Sequence, residues 1–336
     1  MDPDSVASVP REPHGGHAGS GEIEFSANVN PETPPGTERV YERALAESRS
    51  YPAEPPTEFR RAAGASLDVD PDRVIPTPGG LAAIRLAIET VLEPGDVVLV
   101  PRPGFGEYER EVALQGAETR PVPADEILAT RPGDHDMAIV CTPNNPTGRG
   151  YDRDRLREFV ARHRAADTPV LVDEAFLGFE DRETIAGTDG AIVARSLTKL
   201  YGLPGLRVGY AVATGDLRDR LFAARRPWNV GGPALAVGEH ALRQDDFVRA
   251  TRRRVRHERE RLRDALSERF EVAPSSAPFL LLAVTEGSVD AVLERAAEGG
   301  IVLRDARTFE TLDAHVRVAI RRREENDRLL EVLLDG

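Results

Sequence analysis

Lysine occurs once among the 44 basic residues of this chain, at Lys199; every other basic side chain is an arginine. An amine forms a Schiff base with an aldehyde and a guanidinium does not, so this lysine marks a place where arginine would fail. Around it the sequence runs Ser196-Leu-Thr-Lys199-Leu-Tyr-Gly-Leu-Pro-Gly-Leu-Arg207. The hydroxyl before the amine and the guanidinium after it are donors that would hold a phosphate beside it. Leu171-Val-Asp173-Glu-Ala-Phe176 ends an aliphatic run in a carboxylate. Buried, that carboxylate can keep a heteroaromatic nitrogen protonated, which turns the ring into an electron sink. Cys141-Thr-Pro-Asn-Asn145-Pro-Thr-Gly148 ends another such run in a turn whose Asn145 amide can reach a ring oxygen. Gly79-Gly80-Leu81 opens a helical segment, so its free backbone amides form a cradle for an anion.

These residues need a scaffold, and the patterning supplies one. Helical spacing over 79–92, 104–115 and 152–165 alternates with strand-like runs over 96–100, 118–121, 136–141, 169–173 and 191–195. Short aliphatic strands separated by helices predict the α/β class, with a mostly parallel sheet covered on both faces. Such a sheet gathers Asn145, Asp173 and Lys199 at the carboxyl ends of its strands. Beyond an apolar stretch at 206–213, the pattern changes to helices over 233–243 and 246–269, strands over 279–285, 301–304 and 315–320, a helix over 289–298 and a closing helix. That predicts a smaller α+β domain. The chain therefore divides into an arm, 1–35, joining the small domain to the site; a large domain, 36–226, opening with helices over 37–50 and 56–67; and a small domain, 227–336.

Composition narrows the functional classes. A length of 336 residues with 40% apolar side chains suits a two-domain globular chain. Forty-four basic against 57 acidic residues leave a net charge of −13, which disfavours nucleic acid as a partner. The basic stretch Thr251 to Asp264 reads as a solvated helix on which Arg256 can pair with Glu260. The longest apolar run, about 279–284, is far short of the roughly 20 residues that span a bilayer, so no membrane partner is expected. The polar residues 1–17 lack the apolar core of a secretory signal, and a cytoplasmic location is expected. The single cysteine, Cys141, excludes an internal disulfide and reads as a buried, inert thiol. His14 and His17 lie three apart, but without further ligands at suitable spacing no metal site is expected.

Taken in order, Gly79-Gly80-Leu81, Phe105 in Pro103-Gly-Phe-Gly-Glu-Tyr108, PNNPTG at Asn145, DEAF at Asp173 and SLTK with the downstream GLRVGY resemble a fold-type I pyridoxal-phosphate enzyme of the aspartate-aminotransferase superfamily. The resemblance runs from about His14 to the last helix. It implies pyridoxal 5'-phosphate as cofactor, with Lys199 matching the Schiff-base lysine, Asp173 the partner of the ring nitrogen and Asn145 the ring-oxygen ligand. Phe105 matches the aromatic that stacks on the ring. Gly79, Gly80, Leu81, Ser196 and Arg207 match the phosphate cradle, although Pro78-Gly79-Gly80-Leu81-Ala82 lacks the Asn and Glu of the usual motif. Tyr51 matches a tyrosine that reaches the neighbouring subunit's cofactor phosphate, which implies a homodimer with shared sites. Arg317, in Val316-Arg317-Val-Ala-Ile, matches the fork for a substrate α-carboxylate.

Within the superfamily the chain resembles threonine-phosphate decarboxylases of cobalamin biosynthesis, close relatives of histidinol-phosphate aminotransferases. The residues are His14-Gly-Gly, Phe25-Ser-Ala-Asn28-Val-Asn-Pro, Phe176 where many aminotransferases have tyrosine, Pro227-Trp228-Asn-Val and Gly300-Ile-Val-Leu-Arg304-Asp. This resemblance implies a small phosphorylated amino-acid substrate, with His14 and Arg304 at its phosphate and Asn28 and Arg317 at its carboxylate. Two outcomes stay open: a Cα–carboxylate bond aligned for cleavage gives decarboxylation, whereas an aligned Cα–H bond gives transamination. A third reading is a catalytically silent binding module of the same fold.

Overall fold

The computed structural model describes residues 1–16 and 18–334. His17, one half of the histidine pair, lies outside the described residues. Thirteen strands occur among them. The arm contributes β1 (Ile23–Glu24). The principal sheet is built from β2 (Val74–Thr77), β3 (Val97–Arg102), β4 (Glu118–Pro123), β5 (Met137–Cys141), β6 (Val170–Asp173), β7 (Ala191–Ser196) and β8 (Gly209–Val212). Its order is β2-β8-β7-β6-β5-β3-β4. The ladders β4-β3-β5-β6-β7 are parallel, and β8 runs antiparallel to both β7 and β2.

Residue alternation explains why both faces of this sheet are dry. Met137, Ile139 and Cys141 of β5 join Leu171 and Ile192 on the face that packs Ile84 and Ile88 of the helix Gly80–Val91. Ala138 and Val140 join Val170, Val172 and Val193 on the other. Side chains of period two on fully covered strands give this near-continuous aliphatic reading.

The rest of the chain adds β9 (Phe270–Val272), β10 (Phe279–Val284), β11 (Ile301–Val302), β12 (Arg304–Asp305) and β13 (His315–Ala319). Four of these form an antiparallel sheet in the order β12-β13-β10-β9, while β11 pairs in parallel with β1 of the arm. Phe279, Leu282, Val316 and Val318 of this second sheet belong to the same hydrophobic cluster as Val140 and Val172 of the first.

Several details differ from the sequence reading. The run 301–304 is two strands belonging to two sheets, because Leu303 turns the chain between them. Strands β2 and β9 and the helix Gly215–Ala224 were not expected, being short or polar. On the helix Asp245–Leu266, Arg256 pairs with Asp181 at 2.8 Å instead of Glu260. Thr251, Val255, Glu258 and Leu262 are buried, so only part of that helix is solvated. No helix among the described residues is long and apolar enough to cross a membrane.

Candidate active site

Parallel register brings the chemistry together. Cys141 at the end of β5 is the lateral neighbour of Asp173 at the end of β6, which neighbours Ala194 near the end of β7. The turns leaving these strands carry Asn145, Phe176 and Lys199 to one edge, where a cavity of about 330 Å³ opens. Gly80, Leu81, Phe105, Asn145, Asp173, Ser196, Lys199 and Arg207 line it from the large sheet's side. His14 and Asn28 of the arm, and Arg304 and Arg317 of the second sheet, line it from the other. Of the residues expected at the site, Gly79 stands just behind the wall. Tyr51 is not brought there by its own chain: it lies 79% exposed, stacked on Trp228 with ring centroids 4.8 Å apart.

Ser196 caps the short helix Leu197–Leu200, its hydroxyl accepting from the Thr198 amide at 3.2 Å, and that turn presents Lys199 to the cavity. Burial, then the positive Arg317 and Arg207, pull the Lys199 amine down to about 8. A lysine so shifted is available as a neutral nucleophile near neutral pH. Asp173 is buried; it accepts from the Ala175 amide at 2.9 Å and from the Tyr108 hydroxyl at 2.6 Å. Burial raises its pKa above the ordinary carboxylate value, opposed by those two hydrogen bonds and by Lys199. A carboxylate desolvated this far is a site that favours an incoming cationic ring nitrogen.

The anion corner lies at the start of the helix Gly80–Val91. Gly79 has φ of 101°, and a Cβ there would sit 2.6 Å from the Arg207 guanidinium; a Cβ on Gly80 would sit 2.9 Å from Ser196 Cβ. Only glycine lets backbone amides, Ser196 and Arg207 converge this closely. Thr198 joins them, its hydroxyl 2.6 Å from that of Ser196.

At the far end Arg304 on β12 faces Arg317 on β13 in register. The two guanidinium carbons lie 5.3 and 5.4 Å from the Phe309 ring centre. Arg317 donates to Asn145 Oδ1 and to the Ser26 carbonyl, and Arg304 to the Pro13 carbonyl and the Thr308 hydroxyl. Neither forms an ion pair with a carboxylate among the described residues. Burial and the neighbouring Arg304 lower Arg317 to about 9, and burial lowers Arg304. Arg317 Nε and Asn28 Oδ1 are buried without partners. Two like charges side by side, with the Arg317 Nε donor unused, are the signature of a place for anions.

Tyr108 and Thr198 escaped the sequence reading, while Phe309 belonged to the resemblance, following Gly300-Ile-Val-Leu-Arg304-Asp, without a role at the site. Tyr108 carried one signal, its position a helical turn after Phe105, whose ring meets it edge-on at 5.5 Å. Cys141 is buried as expected, and burial raises its thiol well above the usual range.

A buried carboxylate, a depressed lysine, a glycine-lined anion corner and the amide nitrogen of Asn145, whose oxygen Arg317 engages, fit pyridoxal 5'-phosphate, with its ring nitrogen, aldehyde, phosphate and ring oxygen. The family model for aminotransferase class I and II matches residues 39–333, and the chain belongs to this family, whose cofactor is pyridoxal 5'-phosphate. Its relatives divide between two activities. Histidinol-phosphate aminotransferase 2 of Archaeoglobus fulgidus is 31% identical over 93% of this chain and 92% of its own. Threonine-phosphate decarboxylase of Salmonella typhimurium is 32% identical over 93% and 90%. The crystal structure of L-threonine-O-3-phosphate decarboxylase from Porphyromonas gingivalis superposes with a TM-score of 0.83 at 26% identity, covering 92% of this chain and 97% of that one.

Proposed function

We propose that this chain decarboxylates L-threonine O-3-phosphate to (R)-1-amino-2-propanol phosphate, a step of cobalamin biosynthesis, as a cytoplasmic homodimer. The carrying observation is the pair of facing guanidinium groups, Arg304 and Arg317, without carboxylate partners. A substrate with two anionic groups, a phosphate and an α-carboxylate, satisfies both; an amine bearing one anion satisfies only one. The named decarboxylase relatives support the reading, and the equally similar aminotransferases keep transamination as the second one.

Pyridoxal phosphate, when bound, accepts the electron pair of whichever Cα bond of the substrate stands perpendicular to its ring. The chain's residues decide which bond that is. In our assignment Lys199 holds the cofactor and moves a proton at Cα, while Asp173, fixed by Tyr108, keeps the ring nitrogen protonated. Asn145 holds the ring oxygen through its amide nitrogen, and Phe105 covers the ring. Gly79, Gly80, Leu81, Ser196 and Arg207 hold the cofactor phosphate, and Tyr51 of a second copy reaches it. His14 and Arg304 would bind the substrate phosphate, and Arg317 and Asn28 would hold and orient its α-carboxylate. The Cα–carboxylate bond breaks, carbon dioxide leaves, and the electron pair is closed by a proton at Cα. Phe176 brings no hydroxyl to the ring oxygen, which the named resemblance also has.

The test is a single turnover of cofactor-loaded protein with L-threonine phosphate. Trapped carbon dioxide with the cofactor left as aldehyde is the expected result. Conversion of the cofactor to its amine without carbon dioxide would replace decarboxylation by transamination.

A further inference from the structure

The helix Glu107–Ala113 borders the cavity and carries two buried carboxylates one turn apart, Glu107 and Glu111. Two arginines approach them, and their short bonds are not shared evenly. Glu111 takes Arg85 Nε at 2.6 Å and Arg110 Nη1 at 3.1 Å. Glu107 has the same arginines at 3.5 and 3.7 Å, too far for good hydrogen bonds, and its Oε2 is buried without a partner. Its other oxygen, Oε1, lies 2.9 Å from His14 Nε2. The arginines thus offset the charge of Glu107 while leaving its hydrogen bond for the arm.

That bond orients the histidine. With Nε2 held by the carboxylate, Nδ1 is the ring nitrogen left for a ligand in the cavity that His14 lines. Two further contacts fasten the same stretch of arm: Arg110 donates to the Pro10 carbonyl at 3.0 Å and Arg304 to the Pro13 carbonyl at 2.7 Å. The His14 ring also lies 5.9 Å from that of Phe105.

We propose that Glu107 is a positioning residue for recognition of the substrate phosphate: by accepting from Nε2–H of a His14 imidazolium it aims the Nδ1–H donor at the phosphate, and so sets the preference for phosphorylated over unphosphorylated amines. This rests on our assignment of His14 and Arg304 to that phosphate.

The experiment titrates cofactor-loaded enzyme with (R)-1-amino-2-propanol phosphate and with 1-amino-2-propanol, reading each dissociation constant from the cofactor's absorbance. The ratio of the two constants measures discrimination for the phosphate whichever reaction the enzyme runs. Glu107→Ala should reduce this ratio on the order of tenfold, as removal of an outer partner does to a ligand it orients. Glu107→Gln, which can still accept from Nε2, should restore most of it. His14→Ala should reduce the ratio at least as far, and the double variant should fall no further than His14→Ala alone. A reduced ratio in His14→Ala with no change in Glu107→Ala overturns the positioning role and leaves the phosphate assignment standing. Equal weakening of both amines by Glu107→Ala, with Glu107→Gln no better, also overturns it, because that is loss of structure. No change in either single variant overturns both assignments.

Discussion

At the scale of single residues, the active lysine is shaped chiefly by desolvation. Burial opposes the ammonium form, two nearby guanidinium groups oppose it further, and Asp173 only partly compensates, which brings Lys199 from an ordinary 10.5 to about 8. The neutral amine attacks the aldehyde, so each pH unit well below 8 removes about tenfold of the reactive form, and above 8 no more than about twofold is gained. The rate at which cofactor-free protein captures pyridoxal phosphate, normalised to the reaction of the neutral form of a simple free amine, should therefore rise with pH and level just above 8. A rise continuing to 10 would show that the cavity does not perturb the lysine. Lys199 itself was legible from its uniqueness and its flanks, and Asp173 from its strand end. Tyr108 was not, because its bond to Asp173 joins positions 65 residues apart and depends on how the helix Glu107–Ala113 lies across β6. The same holds for Glu107: one acidic residue among 57, distinguished only by what the arm brings to it.

Elements show the same division between local pattern and pairing. The parallel strands β3, β5, β6 and β7 were legible because each is an aliphatic run with turn residues after it. The reversal of β8 was not, since a strand of four buried residues reads identically in either direction. Yet that reversal places Gly209 between Thr77 of β2 and Ser196 of β7, where three strand ends meet beside the anion corner. A Cβ on Gly209 would come within 2.6 Å of the Arg195 carbonyl oxygen and 2.7 Å of both Gly79 and Gly80 backbone atoms. Backbone cannot swing aside as a side chain can, so Gly209→Ala should destabilise the fold by about 1–3 kcal/mol. It should also weaken retention of the cofactor, since the displaced amides belong to the cradle. Denaturant midpoints and the rate of cofactor loss on dilution measure the two effects; an alanine variant unchanged in both would mean that the strand ends have room to spare.

The whole molecule, in our division, is an arm (1–35), a body (36–226) and a cap (227–336), and our proposal adds a second copy whose Tyr51 would finish each site. Tyr51 and Trp228 form an exposed aromatic pair outside the lining of their own chain's cavity, which suits a face covered by a partner. If Tyr51 serves the neighbouring site, Lys199→Ala and Tyr51→Ala subunits, each impaired alone, should regain activity when unfolded and reassembled together, because one site of the mixed dimer then holds both native residues. No recovery would exclude sharing through Tyr51. The arm also has no fold of its own. Its strand β1 pairs with β11, the Phe25 carbonyl accepts from Ala319, Glu24 and Pro31 carbonyls accept from Arg321 and Arg322, and the Asn30 amide donates to the Lys199 carbonyl. Apart from the Lys199 carbonyl, these arm residues thus have partners that are synthesised well after β8. A nascent chain ending after β8 already holds the lysine, the carboxylate and the glycine cradle, but its early residues still wait for their places. Synthesis therefore supplies Gly79 to Arg207, our cofactor grip, well before Arg304 and Arg317, and the arm residues His14 and Asn28 take their places at the substrate only once that later sheet is made.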